Sequence, residues 1–168
     1  MRPGDTTAAD LALIVSKLPR FTYEKFAALP PTVRDQFRTM NCQVPQPSLT
    51  GAPQNMIQGE FAAKGQRDWA ALCSNGSTTM VRVVWGGPIR CEDGFAARQD
   101  SDTLVQTSPG VWNYSRTITT GSVAQINRVL LRSKAKLSES PAHDGIEDTI
   151  DRVTLAHYCA GNHWQTIP

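Results

Sequence analysis

A run of turn residues set between apolar stretches constrains the fold of this chain more than any other feature. It spans residues 55–85 and reads NMIQGEFAAKGQRDWAALCSNGSTTMVRVVW. Gly65 can adopt the positive φ angle of a tight turn, and Asn75-Gly76 is a strong short-range hairpin signal. The run therefore predicts successive strands over 55–62, 67–74 and 80–85.

The residues of the middle strand predict its place in the sheet. Trp69, Ala71 and Cys73 fall on one face, and Ala70 and Leu72 fall on the other. Because both faces are apolar and mostly small, we expect an interior strand that is covered on both sides.

Apolar residues at helical spacing predict helices at both ends of the strand region. The first covers about 8–18, with Asp5 among its possible caps, and the second covers 22–29. A third begins at Thr32, and Ser122 caps a later helix near 122–132.

The other segments complete a mixed fold. Further strands are expected at 102–106, 111–118, 153–159 and 163–167, and loops at 89–97 and 133–145. The fold class is α+β, with N-terminal helices packed on a mostly antiparallel sheet of about six or seven strands and one later helix. Residues 1–54 form the helical N-terminal region and connector, residues 55–168 form the β-rich core, and the two together make a single domain.

Charge and hydropathy remove several classes of function. The 17 basic and 15 acidic residues leave a net charge of +2, and no basic run exceeds two residues. Such a chain has no electrostatic footprint for nucleic acid or for an acidic membrane. No apolar run is long enough to span a membrane, and no nucleotide-binding motif is present, so we expect no membrane span and no cofactor.

The four cysteines favour an oxidising compartment. Cys42, Cys73, Cys91 and Cys159 are widely spaced, with no CxxC pair and no zinc-ligand spacing. They are disulfide candidates in a periplasmic or extracellular protein, and the three possible pairings remain open. Four reduced, buried thiols in a cytosolic protein are the alternative. The longest apolar run near the N-terminus, residues 11–15, is too short for the core of a signal peptide, so we expect export to depend on a leader that has been removed.

A short acidic segment is the richest polar cluster. It contains His143, Asp144 and Asp148, and carboxylates beside an imidazole can bind a metal or transfer protons. The alternative is a short helix that Asp144 caps and whose first turn is acidic. We assign no catalytic or metal-binding residue here and treat the three as weak candidates for a polar site.

Two more histidines flank the last predicted hairpin. His157 precedes the turn and His163 follows it. They are weak candidates for a two-histidine site, because the sequence shows no third ligand, and we favour a pair of half-buried structural side chains.

Four tryptophans lie on predicted strands, at positions 69, 85, 112 and 164. Aromatic residues on strands usually belong to the core. Two or more that share an exposed face would instead form a binding surface for a protein or a sugar.

Several motifs together resemble those of small secreted or periplasmic bacterial proteins. The first is G-x-F-x(3)-G-x(2)-D-W-A-x-L-C, from Gly59 to Cys73. Similar proteins carry a segment like 42–46, a segment like 145–148 and a final hairpin like 158–164. The likeness covers about residues 30–167 and implies export but no activity. The hairpin also resembles a unit of FG-GAP repeats that lacks the calcium ligands, since loop 62–68 has only one carboxylate.

These observations favour a non-catalytic extracytoplasmic binding or accessory protein of unknown ligand. Its partner is expected to be another protein or a cell-envelope component. One alternative is a small hydrolase or metal-dependent enzyme centred on residues 143–148 with His157 or His163. Another is a passive subunit of a larger assembly that docks through its N-terminal helices.

Overall fold

The computed structural model describes residues 6–48 and 51–168. Within them the chain has an α+β fold that is mostly β, with three α-helices and twelve strands in four antiparallel sheets. The helices are α1 (Ala8–Lys17), α2 (Pro31–Thr39) and α3 (Val123–Ser133). The strands are β1 (Arg20–Phe21), β2 (Val44–Pro45), β3 (Met56–Gly59), β4 (Asp68–Ser74), β5 (Thr78–Val84), β6 (Gly94–Gln99), β7 (Leu104–Ser108), β8 (Val111–Tyr114), β9 (Thr117–Gly121), β10 (Gly145–Ile150), β11 (Val153–Ala160) and β12 (His163–Ile167).

Capping residues explain where two helices begin. Thr7 and Asp10 form a reciprocal capping box at α1, and Ser122 and Gln125 form one at α3, as the sequence around Ser122 predicts. Asp5 lies outside the described residues. The helix expected over 22–29 is wrong, because only a short 3₁₀ turn forms at Tyr23–Lys25.

Two four-stranded sheets form the centre of the molecule. Sheet I has the order β3-β4-β5-β6, and sheet II has the order β12-β11-β10-β9. The apolar residues between the two sheets are Phe61, Ala70, Leu72, Val81, Val83, Ile118 and Ile146. The expectation of one sheet with about six or seven strands is therefore wrong; the remaining pairs, β1-β2 and β7-β8, form two small separate sheets.

Helical segments cover the outer faces of both sheets. Phe26, Leu29 and Phe37 pack against Ala71 and Cys73 of sheet I. On the other side, Ile126 of α3 packs with the sheet II cluster of Ala156, Tyr158, Ala160 and Ile167. Strand β4 thus lies inside sheet I with apolar neighbours on both faces, which confirms the prediction from its small residues.

The conspicuous hairpin before β4 is held together by one buried carboxylate. Asp68 Oδ2 accepts hydrogen bonds from the backbone N–H groups of Phe61 (3.0 Å) and Ala62 (3.2 Å). Its Oδ1 accepts from Gln66 Nε2 (2.8 Å) and from Gly86 N (2.9 Å). Both carboxylate oxygens are therefore occupied by the chain itself, and the motif works as a scaffold.

Two segments adopt strands that the sequence does not predict. Residues 89–97, expected to be a loop, include the start of β6, where Ala96 has φ of 52° and the pairing with β5 is irregular. Residues 145–150 form β10 rather than a helix capped by Asp144. Gly145 permits close packing of α3, since a Cβ atom there would lie 2.7 Å from Ile126 Cδ1.

Two disulfides join separate parts of the fold. Cys42–Cys73 ties the segment after α2 to β4, and Cys91–Cys159 ties the loop before β6 to β11. They decide the pairing that the sequence leaves open and indicate an oxidising, extracytoplasmic environment. Among the described residues, no helix is long and apolar enough to cross a membrane.

Candidate ligand-binding cleft

A fully buried arginine lies between the two large sheets. Arg116, between β8 and β9, donates from Nε to Asp148 Oδ1 (2.9 Å) and from Nη2 to Asp148 Oδ2 (2.7 Å). It also donates to two carbonyls of sheet I, from Nη1 to Thr79 (3.0 Å) and from Nη2 to Ala96 (2.7 Å). This buried cation is therefore compensated by one carboxylate and joins sheet I to sheet II.

The strand register explains why this pair forms. Asp148 is paired with Ile118 across β10 and β9, and Arg116 lies two residues before Ile118. Asn55, with φ of 66°, fixes the arginine backbone, because its Nδ2 donates to the Arg116 carbonyl (3.2 Å) and its Oδ1 accepts from Ile118 N (3.1 Å).

His157 is the third charged or titratable group of this network. Its Nε2 lies 3.6 Å from Asp148 Oδ2, which is too long for a hydrogen bond, and its Nδ1 lies 3.0 Å from Thr166 Oγ1. Burial by itself raises the pKa of Asp148, but His157 and Arg116 outweigh burial and hold that pKa below its ordinary value. Asp148 is therefore an ionised group that Arg116 and His157 stabilise.

This arrangement suits a structural role better than proton transfer. A carboxylate with a lowered pKa is a weak base, and both of its oxygens already accept hydrogen bonds from Arg116. The Thr166 hydroxyl belongs to an exposed residue, but the imidazole that it contacts is buried. The network fixes the positions of β10 and β11 and presents one face of Asp148 to an adjoining cleft.

The cleft has a volume of about 330 Å³ and mixed walls. Asp148, Ile150, Val153 and Leu155 line it from β10 and β11, whereas Arg98 and Asp102 line it from the other side. The Val153 side chain is 66% exposed. Apolar surface thus lies open to solvent beside charged groups.

The two charged residues on the far wall have no partner in the part of the chain that the structure describes. Arg98 and Asp102 are both exposed, and neither makes a side-chain hydrogen bond or an ion pair with any residue that the structure describes. Their charges are therefore free to interact with a ligand.

The acidic segment of the sequence is divided between two sides of sheet II. His143 is buried, its ring stacks on Tyr158 at 4.3 Å, and its Nδ1 lies 2.9 Å from the Asp144 carbonyl. Asp144 accepts a hydrogen bond from Glu60 N (3.1 Å). Tyr158 belongs to the cluster under α3, so His143 lies on the opposite side of sheet II from His157.

His163 takes part in a separate, exposed ion pair. Its Nδ1 lies 2.6 Å from Glu92 Oε1, and this contact lowers the pKa of Glu92. His157 pairs with Thr166 and His163 pairs with Ala160, so the two histidines are about 10 Å apart along the strands. Within the described residues, no three His, Cys, Asp or Glu side chains are arranged to hold a metal ion.

Two tryptophans share a half-buried aromatic stack. Trp164 lies between Phe95, at 4.1 Å, and Trp85, at 6.0 Å between ring centroids. Trp85 Nε1 donates to Asp93 Oδ1 (2.8 Å), and Trp164 Nε1 donates to the Glu92 carbonyl (3.0 Å). Because one ring is sandwiched and both indole N–H groups are satisfied, this stack is mainly internal packing.

Exposed apolar surface on the N-terminal helices, which the subunit alternative expects, is found at Leu13. This side chain of α1 is 56% exposed, whereas Phe37 of α2 is fully buried.

Sequence reasoning missed Arg116 and Arg98. Arg116 had a detectable signal, because Tyr114, Arg116 and Ile118 occupy alternate positions and all three are buried. An arginine on the apolar side of a predicted strand requires a buried carboxylate nearby. Arg98 had no comparable signal, since only the three-dimensional fold brings it opposite Val153.

Comparison of the chain with protein-family models, with curated proteins and with solved structures finds no match.

Proposed function

We propose that the chain is a non-catalytic binding protein of the periplasm or the extracellular space. In this proposal, the cleft between Arg98 and Val153 holds an aliphatic group of the ligand. The support is the combination of an open aliphatic wall with charged groups that have no partner among the described residues.

The aliphatic wall supplies the attraction for such a group. Ile150 and Leu155 are half-buried and Val153 is largely exposed, so water contacts apolar surface here. Covering about 100 Å² of it contributes about 2.5 kcal/mol. An isolated aliphatic fragment is therefore expected to bind weakly, with a Kd of about 1 mM or above.

The charged groups at the cleft orient the bound ligand. Arg98 attracts an anionic group at the mouth of the cleft, and Asp102 favours a donor or a cation. The ion pair of Arg116 and Asp148 contacts both sheets, so it keeps the inner wall in place before a ligand arrives. A wall that is already fixed lowers the entropy cost of binding.

Two observations support the non-catalytic part of the proposal. Arg116 occupies both oxygens of Asp148, which lowers the basicity of the one buried carboxylate that lines the cleft. His143, which the enzyme alternative needs beside Asp148, stacks on Tyr158 instead.

The test uses three ligands that share one aliphatic group and differ in charge. Isovalerate, isoamylamine and isoamyl alcohol are titrated into the labelled protein while amide chemical shifts are followed. We expect shifts concentrated at residues 98–102 and 150–155, largest with isovalerate because of Arg98.

A matched pair of variants makes this test specific. Val153→Asp places a charge in the cleft, and Leu131→Asp places the same charge on another largely exposed apolar residue. Binding should be lost in the first variant and kept in the second. Shifts spread over other surfaces, or unchanged binding by Val153→Asp, would disprove the proposal.

A further inference from the structure

The solvent face of α3 carries an uncommon combination of side chains. Arg128 and Arg132 lie one turn apart and are both exposed, and Lys134 and Lys136 follow directly after the helix. Leu131, between the two arginines in sequence, is 81% exposed. Two exposed arginines of α3 and two exposed lysines just beyond its end therefore lie close in sequence to one protruding apolar side chain.

Among the residues that the structure describes, the four cations make no ion pair. Across the described ranges 6–48 and 51–168, none of the four lies within ion-pair distance of a carboxylate. Glu147 lines a cleft of about 200 Å³ together with Gln125, Arg128 and Arg132. This single carboxylate leaves the face with an excess of positive charge.

Folding does not require Leu131 to be apolar. The helix buries Ile126 and packs Val129 and Leu130 on sheet II, on the side away from solvent. Leu131 lies outside that stripe, so a polar residue there would cost the fold almost nothing. Net charge and charge runs alone do not indicate an acidic membrane as a partner. An exposed leucine close to exposed cations nevertheless matches a surface that offers both anionic groups and an apolar layer.

We propose that this face of α3 docks on an anionic phospholipid bilayer. The four cations contact lipid phosphates, and Leu131 enters the boundary between headgroups and acyl chains. A soluble polyanion would use the cations but leave Leu131 in water, whereas a bilayer covers both. This proposal is independent of the cleft, which lies on the other side of sheet II.

The experiment measures partitioning of the full chain onto vesicles. One set contains phosphatidylglycerol and phosphatidylcholine, and the other contains phosphatidylcholine alone. We expect binding only to the anionic set, and weaker binding at high salt. Each basic residue near an anionic surface contributes about 1 kcal/mol, so Arg128→Gln with Arg132→Gln should weaken partitioning by about 30-fold.

Two further variants separate this proposal from its alternatives. Lys64→Gln with Arg67→Gln removes two exposed cations elsewhere and should change partitioning by less than about 3-fold. Leu131→Ser removes the apolar contact and should weaken it by about 5-fold.

Three results would overturn the proposal. The first is no binding to anionic vesicles. The second is that the Lys64 and Arg67 control loses as much vesicle binding as the double arginine variant does. That result would show that net charge alone attracts the protein to the vesicles. The third is that Leu131→Ser partitions onto anionic vesicles as the wild type does while the double arginine variant no longer partitions. That result would identify the face as a site for a polyanion. Thermal unfolding of each variant verifies that the fold is intact.

Discussion

Arg116, just before β9, forms a two-point ion pair with Asp148 of sheet II, and the same guanidinium donates to two carbonyls of sheet I. One buried side chain therefore links the two layers of the core. Both residues are less than 5% exposed, so the strength of this link depends on keeping both charges.

We expect Asp148→Asn to destabilise the protein by about 3–5 kcal/mol, because it leaves the Arg116 charge buried and uncompensated. Denaturant unfolding measures the change. Asp35→Asn is the matched control, since Asp35 pairs with Arg38 on the surface at 3.0 Å and should cost less than about 1 kcal/mol. Equal costs in the two variants would contradict this role of Arg116.

The stabilisation by Asp148 should depend on pH in one direction. Its pKa is lower in the folded protein than the ordinary value of 3.8, so the unfolded state binds a proton first as the pH falls. The contribution is fully present above that value and is lost as the pH drops through the folded-state pKa. Unfolding free energies of the wild type and Asp148→Asn, measured from about pH 7 to about pH 2, should therefore converge in acid. A gap that widens in acid would refute this assignment.

Replacement by phenylalanine should affect the free energy of unfolding differently at Tyr114 and at Tyr158. The buried Tyr114 hydroxyl has no hydrogen-bond partner within residues 6–48 and 51–168, whereas the Tyr158 hydroxyl accepts a hydrogen bond from Ala142 N at 2.9 Å. Tyr158→Phe should cost about 1 kcal/mol, and Tyr114→Phe should be neutral or stabilising. Thermal unfolding of both variants tests this, and a larger loss in Tyr114→Phe would show a hidden partner.

Tyr114 also predicts a loss of stability in alkali. Burial raises its pKa to about 12 from 10.0, so the folded state keeps its proton after the unfolded state has lost it. The stabilisation that Tyr114 contributes is fully present below about pH 10 and decreases as the pH rises towards 12. Tyr114→Phe should remove that part of the alkaline decrease, and an unchanged alkaline profile would argue against it.

The disulfides give a prediction about stability and about the oxidation state of the four cysteines. Replacing the pair Cys91 and Cys159 by serine should cost about 2–5 kcal/mol, and so should replacing Cys42 and Cys73. Thiol counting on denatured protein purified from an oxidising compartment should find no free thiol before reduction and four after it. Four free thiols before reduction would contradict both pairings.

Local signals predicted the parts of the fold that depend on neighbours in sequence. The Asn75-Gly76 turn and the Ser122 cap formed as expected, because short-range hydrogen bonds determine them. Strand β6 was missed, since the positive φ of Ala96 breaks the alternation on which strand prediction depends. The acidic residues at 144–148 were interpreted as the start of a helix, whereas pairing with β9 and β11 makes them a strand.

The candidate site depended on contacts that no local pattern contains. Arg116 and Asp148 are 32 residues apart, and the cleft forms only when β6 and the β10-β11 hairpin lie side by side. His157 was a candidate from the sequence, but its partners Thr166 and Asp148 come from strand register. Residue type identified some members of the network, and only the fold assembled them.

We propose that the cleft beside Asp148 binds an aliphatic group. Intermolecular nuclear Overhauser contacts between the methyl protons of isovalerate and the protein test it most directly. We expect contacts with the methyl groups of Val153 and Leu155 in the wild type, and their loss in Val153→Asp. Contacts at Leu131 or at the Trp85–Trp164 stack instead, or no contacts at all, would contradict the account.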